Sequence, residues 1–207
     1  MTSVLETAPQ HAVLRYSNVN VAFHWTTVVL VLLQLYLGSR FALSEPSAAR
    51  DEVLLWHKSV GVLIFVLTLA RLAYRLRNPP PPFPPELPAW ERVAAVWSHR
   101  LFYALLIAMP IVGFVAVSGY TRGPFLVIGG IEVPLIPGVS SETGHLAGEV
   151  HERATYTLVA LILLHVAVAL KHQFVDHWRG SARMPPFTSQ GEPVVIGQGR
   201  DEAAQEG

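Results

Sequence analysis

The chain has no cysteine among its 207 residues. A protein without cysteine forms no disulfide, no iron–sulfur cluster, no thiolate-ligated haem and no covalent c-type haem attachment. Any redox centre in this protein must therefore be held by nitrogen ligands.

Charge is also scarce. Only 14% of the residues are charged, 51% are hydrophobic, and the formal net charge is zero. This composition is too apolar for an ordinary soluble domain of this length. No basic run with interleaved aromatic residues is present, so we expect no nucleic-acid partner.

Four apolar windows predict membrane-spanning helices, at residues 19–38, about 53–74, 99–118 and about 151–173. The first window carries no charged residue over twenty positions, and twenty helical residues cross a hydrocarbon core of about 30 Å. The predicted fold class is all-α, an integral membrane four-helix bundle in a single domain over residues 19–184.

The placement of lysine and arginine predicts the orientation of the bundle. One side carries Arg15, Arg71, Arg75, Arg77, Arg92, Arg100, Lys171, Arg179 and Arg183. The other carries Arg40, Arg50, Lys58, Arg122 and Arg153. Both termini are therefore expected in the cytoplasm, with residues 1–18 forming a cytoplasmic N-terminal segment. Residues 1–17 are mixed and polar, so we expect no cleaved signal peptide and an uncleaved first helix.

The connecting segments differ in character. Residues 78–88 are too rich in proline to be helical and predict a stiff cytoplasmic connector. Residues 119–149 form the longest loop, in which glycines and prolines flank short β-branched runs, so a small cap or hairpin is expected on the outer side. The tail from residue 185 to 207 lacks periodicity and is predicted to be disordered.

Nine histidines are many for such a chain. His11, His145 and His177 lie outside the predicted spans and are expected to have no function. The spans contain His24, His57, His151 and His165. Ionisable side chains inside a membrane are costly and usually face a site in the bundle interior.

Spacing places these four histidines at two depths. His151 and His165 are fourteen residues apart, which is almost four helical turns and a rise of about 21 Å on one face. Counted from the helix ends, His57 is level with His151 and His24 is level with His165. We call His57 and His151 the outer pair, and His24 and His165 the inner pair.

Two imidazoles facing each other across a bundle can ligate a haem iron axially. Zinc is the alternative metal, but a tetrahedral zinc site requires three or four ligands at one depth. Each level here offers two, so two b-type haems are favoured.

His172 and His99 have two possible interpretations. His172 lies seven residues beyond His165, about 10 Å deeper than His24, and is therefore interpreted as an interfacial residue rather than a ligand. Either histidine can hydrogen-bond a quinone head group, or simply be a polar residue at the membrane surface.

Several basic residues lie near the histidines in the sequence. Arg71 lies fourteen residues after His57 and is expected near the inner pair, where it can bind a haem propionate together with Arg75 or Arg15. Lys58 directly follows His57, and Arg153 is two residues after His151. They can also bind propionates, or they can form with Arg40, Arg50 and Arg122 a positive surface that steers a small anion inwards.

The chain resembles the prokaryotic cytochrome b561 family over about residues 16–186. The motifs that carry the resemblance are Phe23-His24-Trp25, Trp56-His57-Lys58-Ser59-Val60-Gly61, Ala108-Met109-Pro110-Ile111-Val112-Gly113, His151-Glu152 and Leu164-His165. The resemblance implies that His24, His57, His151 and His165 bind two b-type haems in the bacterial inner membrane. It also implies electron exchange with a quinone, and in some members oxidation of superoxide.

Two functions remain open from the sequence. The first is a stand-alone oxidoreductase that passes electrons from superoxide on the outer face to ubiquinone. The second is a haem-bearing anchor that carries electrons between a partner dehydrogenase and the quinone pool. The basic residues near the outer pair and the compact length favour the first, and the long outer loop is a possible docking surface for the second.

Overall fold

Four long helices make up most of the computed structural model, which describes residues 13–83, 87–120, 125–128, 130–176, 183–184 and 194–196. The helices are α1 (Asn18–Leu43), α2 (Ala48–Arg77), α3 (Ala89–Tyr120) and α4 (Ser141–Phe174). Each is long and apolar enough to cross a membrane, and each extends beyond its predicted span. The prediction of an all-helical fold with four membrane-length helices is confirmed.

Serine side chains fix the starts of three helices. The hydroxyls of Ser17, Ser47 and Ser140 accept backbone N–H groups of Asn20, Arg50 and Thr143 at the first turns of α1, α2 and α4. Such caps satisfy amide donors that have no partner within the helix. The run of prolines after Asn78 cannot continue α2 and so separates it from α3.

The helices pack mainly as two hairpins, α1 against α2 and α3 against α4, joined by contacts between α2 and α3. We call the end where α1 and α3 begin the inner end, and the opposite end the outer end. Near the outer end, Gly119 and Gly144 allow α3 and α4 to touch, since a Cβ added to Gly119 would lie 2.6 Å from the Cα of Gly144. Small residues at helix crossings permit this close approach in membrane bundles.

A buried apolar layer lies midway along the bundle. Its members are Val31, Val60, Ile64 and Leu158. Leu158 is seven residues from both His151 and His165, and Ile64 is seven residues after His57, so the layer separates the two histidine levels. Many other large apolar side chains, such as Leu163 at 66% exposure, lie on the outside of the bundle, as expected for surfaces that face lipid.

The predicted hairpin in the outer loop is present. Strands β2 (Phe125–Ile128) and β3 (Ile131–Pro134) pair antiparallel, and Gly130 adopts a φ of +83° at the turn. The loop is shorter than predicted because α3 continues to Tyr120 and α4 already begins at Ser141. His145, which the sequence places in this loop, instead lies in the first turns of α4, where its Nδ1 is 3.0 Å from the Tyr120 hydroxyl.

The tail contains one strand that the sequence did not predict. Strand β4 (Val194–Ile196) pairs in parallel with β1 (Val13–Arg15). The other residues of the tail predicted to be disordered, 185–193 and 197–207, lie outside the described residues, as do His11 and His177.

Candidate functional site

The outer pair meets between α2 and α4. The ring centroids of His57 and His151 are 6.1 Å apart, with an angle of 74° between the ring planes. Both side chains are partly buried. The two imidazoles therefore face each other across the interior, at the depth that the spacing predicts.

Neighbouring residues of α1 and α3 set the positions of these two rings. His151 Nδ1 lies 3.0 Å from the carbonyl oxygen of Met109, which it reaches as a donor, so that Nε2 is left to act as a metal ligand. A Cβ added to Gly113 would approach the His151 ring to 3.3 Å, and a Cβ added to Gly38 would approach His57 to 3.1 Å. Glycine at both positions thus makes room for an imidazole.

Two buried side-chain atoms beside the outer pair have no hydrogen-bond partner among the described residues. His57 Nε2 lies 3.1 Å from the amide nitrogen of Gln34. His57 Nδ1 and the Gln34 side-chain oxygen are both buried without a hydrogen-bond partner among the described residues. Buried polar atoms in native proteins are normally satisfied, so a bound polar or metal-containing group is expected near this pair.

The inner pair is more crowded. His24 of α1 and His165 of α4 have ring centroids 6.5 Å apart, at an interplanar angle of 54°. A third imidazole, His99 of α3, lies 5.8 Å from His165, with its Nδ1 donating to the carbonyl oxygen of Ala95 at 2.6 Å. The sequence grouped His99 with His172 as a surface residue, whereas the structure places it beside the inner pair.

Arg71 lies at the inner pair, as its spacing predicts. One nitrogen of its guanidinium group is 3.5 Å from His24 Nδ1, and the central guanidinium carbon, Cζ, lies 5.8 Å from the Tyr103 ring centroid. Arg75 is partly buried one turn further along α2. Arg15 instead bonds the side chain of Asn18 at the start of α1, so the structure assigns it a different contact.

Both levels fit an axially ligated haem. A bond from a metal to an imidazole nitrogen is about 2 Å long, so two imidazoles on opposite sides of one ion have ring centres roughly 6 Å apart. The observed separations of 6.1 and 6.5 Å match this value. Within the described part of the chain, no group of three or more histidine, aspartate or glutamate residues is arranged to hold a metal ion.

The basic residues at the outer end are dispersed. Lys58 is partly buried next to His57. The Arg153 side chain is 77% exposed and pairs with Glu149 at 3.2 Å. Arg50 stacks on Phe41 at 4.0 Å, Arg40 is exposed on α1, and Arg122 lies outside the described residues. Lys58 is therefore the described cation best placed to act at the outer pair.

His172 belongs to a polar cluster at the inner end. Its Nδ1 lies 2.9 Å from an Asp176 carboxylate oxygen and its Nε2 lies 3.7 Å from a Glu91 oxygen. A hydrogen bond from Lys171 to Asp176 lowers the pKa of that carboxyl group. Neither acid was expected at this site from the sequence, although Asp176 is one helical turn after His172 and Glu91 is the acid in the first turn of α3.

Comparisons with known proteins show which family the chain belongs to. The family model described as prokaryotic cytochrome b561 matches residues 15–185. Cytochrome b561 homolog 2 of Escherichia coli (strain K12) is 31% identical over 163 residues, covering 78% of this chain and 86% of the relative. A probable superoxide oxidase CybB of Yersinia pestis is 26% identical over 172 residues, covering 83% of this chain and 96% of the relative. The chain belongs to the prokaryotic cytochrome b561 family.

Proposed function

We propose that this protein carries electrons across the bacterial inner membrane through two b-type haems, from superoxide on the outer face to ubiquinone at the inner face. The observation that carries the proposal is the presence of two opposed histidine pairs at two levels of one bundle. Membership of the family implies b-type haem. Each haem would supply reversible one-electron transfer.

The chain would hold the two haems in different ways. His57 and His151 would hold the haem at the outer level, with the Met109 carbonyl fixing the tautomer of His151. His24 and His165 would be the ligands at the inner level, where Arg71 can bind a propionate, with Arg75 as a possible second partner. The layer around Leu158 would exclude water between the levels.

The overall reaction balances with two donors for each acceptor. Two superoxide anions lose one electron each and become dioxygen, and one quinone takes up both electrons and two protons to become quinol. We place superoxide at the outer end because Lys58 adjoins the outer pair, and we place both termini in the cytoplasm.

The inner end would supply the quinone site. His172 lies one heptad below His165 and contacts two carboxylates, Glu91 and Asp176. A histidine held between acids can hydrogen-bond a quinone oxygen and pass it a proton taken up from the cytoplasm. His99, beside His165, is the second candidate for this contact.

The experiment is rapid mixing of the purified, haem-loaded protein with superoxide, followed by haem absorbance, with ubiquinone added in a second series. The proposal expects fast haem reduction without any partner protein, and quinol formation at one per two superoxide anions consumed. Haem reduction no faster than the spontaneous decay of superoxide would refute it.

A second function, that of an anchor for a dehydrogenase, is favoured by one observation. The β2–β3 hairpin at the outer end presents Ile131 at 69% exposure, and Ile136 follows at 40%. Exposed apolar residues of this kind are typical of docking surfaces. Purification in mild detergent separates the two functions, because an anchor would retain its dehydrogenase and a stand-alone enzyme would be isolated alone.

A further inference from the structure

The first turns of α3 carry an apolar stripe at the inner end of the bundle. Trp90, Val93 and Trp97 are 70%, 56% and 61% exposed, although α3 continues here below the predicted span. Tryptophan is enriched where a membrane meets water, so this part of α3 lies at the depth of the lipid head groups.

A shallow cavity of about 220 Å³ lies in this stripe, lined by Phe83, Arg92, Val93, Val96 and Trp97. Its lining is almost entirely apolar apart from one guanidinium. Pockets for drug-sized ligands are larger, about 300–1,000 Å³, so this one suits a length of hydrocarbon chain rather than a whole cofactor.

Three guanidiniums surround the cavity. Arg92 is in its wall, Arg100 lies 5.0 Å from the Trp97 ring, and Arg183 lies 5.6 Å from the Phe83 ring. Arg183 is only 6% exposed, and its Nε has no partner among the described residues. No carboxylate of the described residues forms an ion pair with any of the three.

An apolar groove beside positive charge that has no counter-ion is complementary to a molecule with an anionic head and a hydrocarbon chain. We propose that this cavity, the α3 groove, binds an anionic phospholipid of the inner leaflet, with an acyl chain along Val93, Val96 and Trp97 and the phosphate against Arg92. Arginine forms paired hydrogen bonds with phosphate oxygens, and each basic residue near an anionic membrane surface contributes to lipid attraction. Glu91, on the same turn, contacts His172 and does not line the groove.

The test is native mass spectrometry of the protein in detergent, after exchange into defined lipid. Phosphatidylglycerol should remain bound to the wild type as one molecule per chain, and Arg92→Gln should lower its retention about five-fold. Arg92→Lys should retain part of the binding because lysine keeps the positive charge. It should not retain all of it, because lysine lacks the paired N–H donors of the guanidinium. Arg77→Gln, an equal loss of charge on α2 at the same end of the bundle, should leave retention unchanged.

Three results would overturn the proposal. Equal retention of phosphatidylcholine and phosphatidylglycerol would mean that the groove contacts lipid without recognising charge. Equal loss of phosphatidylglycerol retention in Arg92→Gln and Arg77→Gln would mean that the lipid responds to the overall positive charge of this end and not to the α3 groove. Displacement of the lipid by millimolar inorganic phosphate would show that the site recognises free phosphate and not the lipid.

Discussion

The outer and inner histidine pairs have the same spacing along α4 but different surroundings. The outer imidazoles contact neutral groups, Gln34 and the Met109 carbonyl, and glycines make room for them. The inner imidazoles lie next to the Arg71 guanidinium and a third imidazole, His99. Positive charge stabilises the reduced form of a redox centre in a medium of low dielectric. Under the proposed function, this difference would favour electron flow from a haem at the outer level to a haem at the inner level.

The largest expected effect tests whether each level is a separate haem site. His57→Ala or His151→Ala should remove one of two haems and leave the inner signal, whereas His24→Ala or His165→Ala should remove the other. Each iron would lose one of two axial ligands and with it the low-spin spectrum. Haem per polypeptide and the low-spin absorption bands are the measurements.

His172→Ala is the matched control for these variants, because His172 lies on nearly the same face of α4 as His165. It should retain both haems. Loss of a haem in this variant, with both retained in His165→Ala, would show that the pairing is wrong.

A second expected effect concerns the helix contact at the outer end. Gly119→Ala should force α3 away from α4, since its Cβ would lie 2.6 Å from the Gly144 Cα and 2.8 Å from the Ser140 carbonyl oxygen. Overpacking of this kind costs about 1–3 kcal/mol. We expect a lower thermal midpoint of the haem-loaded protein and disturbance of the outer haem spectrum before the inner one.

Gly148→Ala is the control for this contact, because its Cβ would meet only the Tyr120 side chain, with the hydroxyl at 3.2 Å and Cε2 at 3.8 Å. It should change the midpoint little. An equal decrease of the thermal midpoint in Gly119→Ala and Gly148→Ala would mean that the close contact of α3 with α4 at Gly119 does not limit stability.

Much of this arrangement could be predicted from the sequence, for a physical reason. A helix has a fixed rise and period, so fourteen residues between His151 and His165 determine both depth and face. The same regularity predicts Arg71 near His24. The contact between His99 and His165 could not be derived, because it depends on the rotation of α3 against α4. Nor could the strand β4, which pairs with residues far away in the chain.

A third prediction tests whether the charge of Arg71 raises the midpoint potential of the inner haem alone. Arg71→Gln should lower the midpoint potential of the inner haem by roughly 50 mV, about 1 kcal/mol for one electron, and leave the outer potential unchanged. The sign follows from removal of a cation that stabilises the reduced state. A spectroscopic redox titration measures both potentials.

Arg77→Gln removes an exposed cation near the same end of α2 and should move neither potential appreciably, because solvent screens it. Equal shifts of both haems in Arg71→Gln, or none, would contradict the assignment of Arg71 to the inner level.

The smallest expected effect concerns entry of superoxide at the outer end. Lys58→Gln should lower the second-order rate of haem reduction about two- to three-fold and flatten its dependence on ionic strength, because a steered anion loses a nearby cation. Arg153→Gln should do less, since Arg153 is exposed and Glu149 already compensates its charge. Rapid mixing at several salt concentrations gives both quantities.

Haem content is measured in parallel with these rates, because the Lys58 ammonium can also bind a haem propionate. Arg50→Gln, in which the lost guanidinium stacks on Phe41 at the same end, is the matched control and should leave the rate unchanged. An unchanged rate and salt slope in fully haem-loaded Lys58→Gln/Arg153→Gln would exclude steering by these two residues. The outer end would then be distinguished from the inner end by its exposed hairpin rather than by its charge, which favours the dehydrogenase-anchor function.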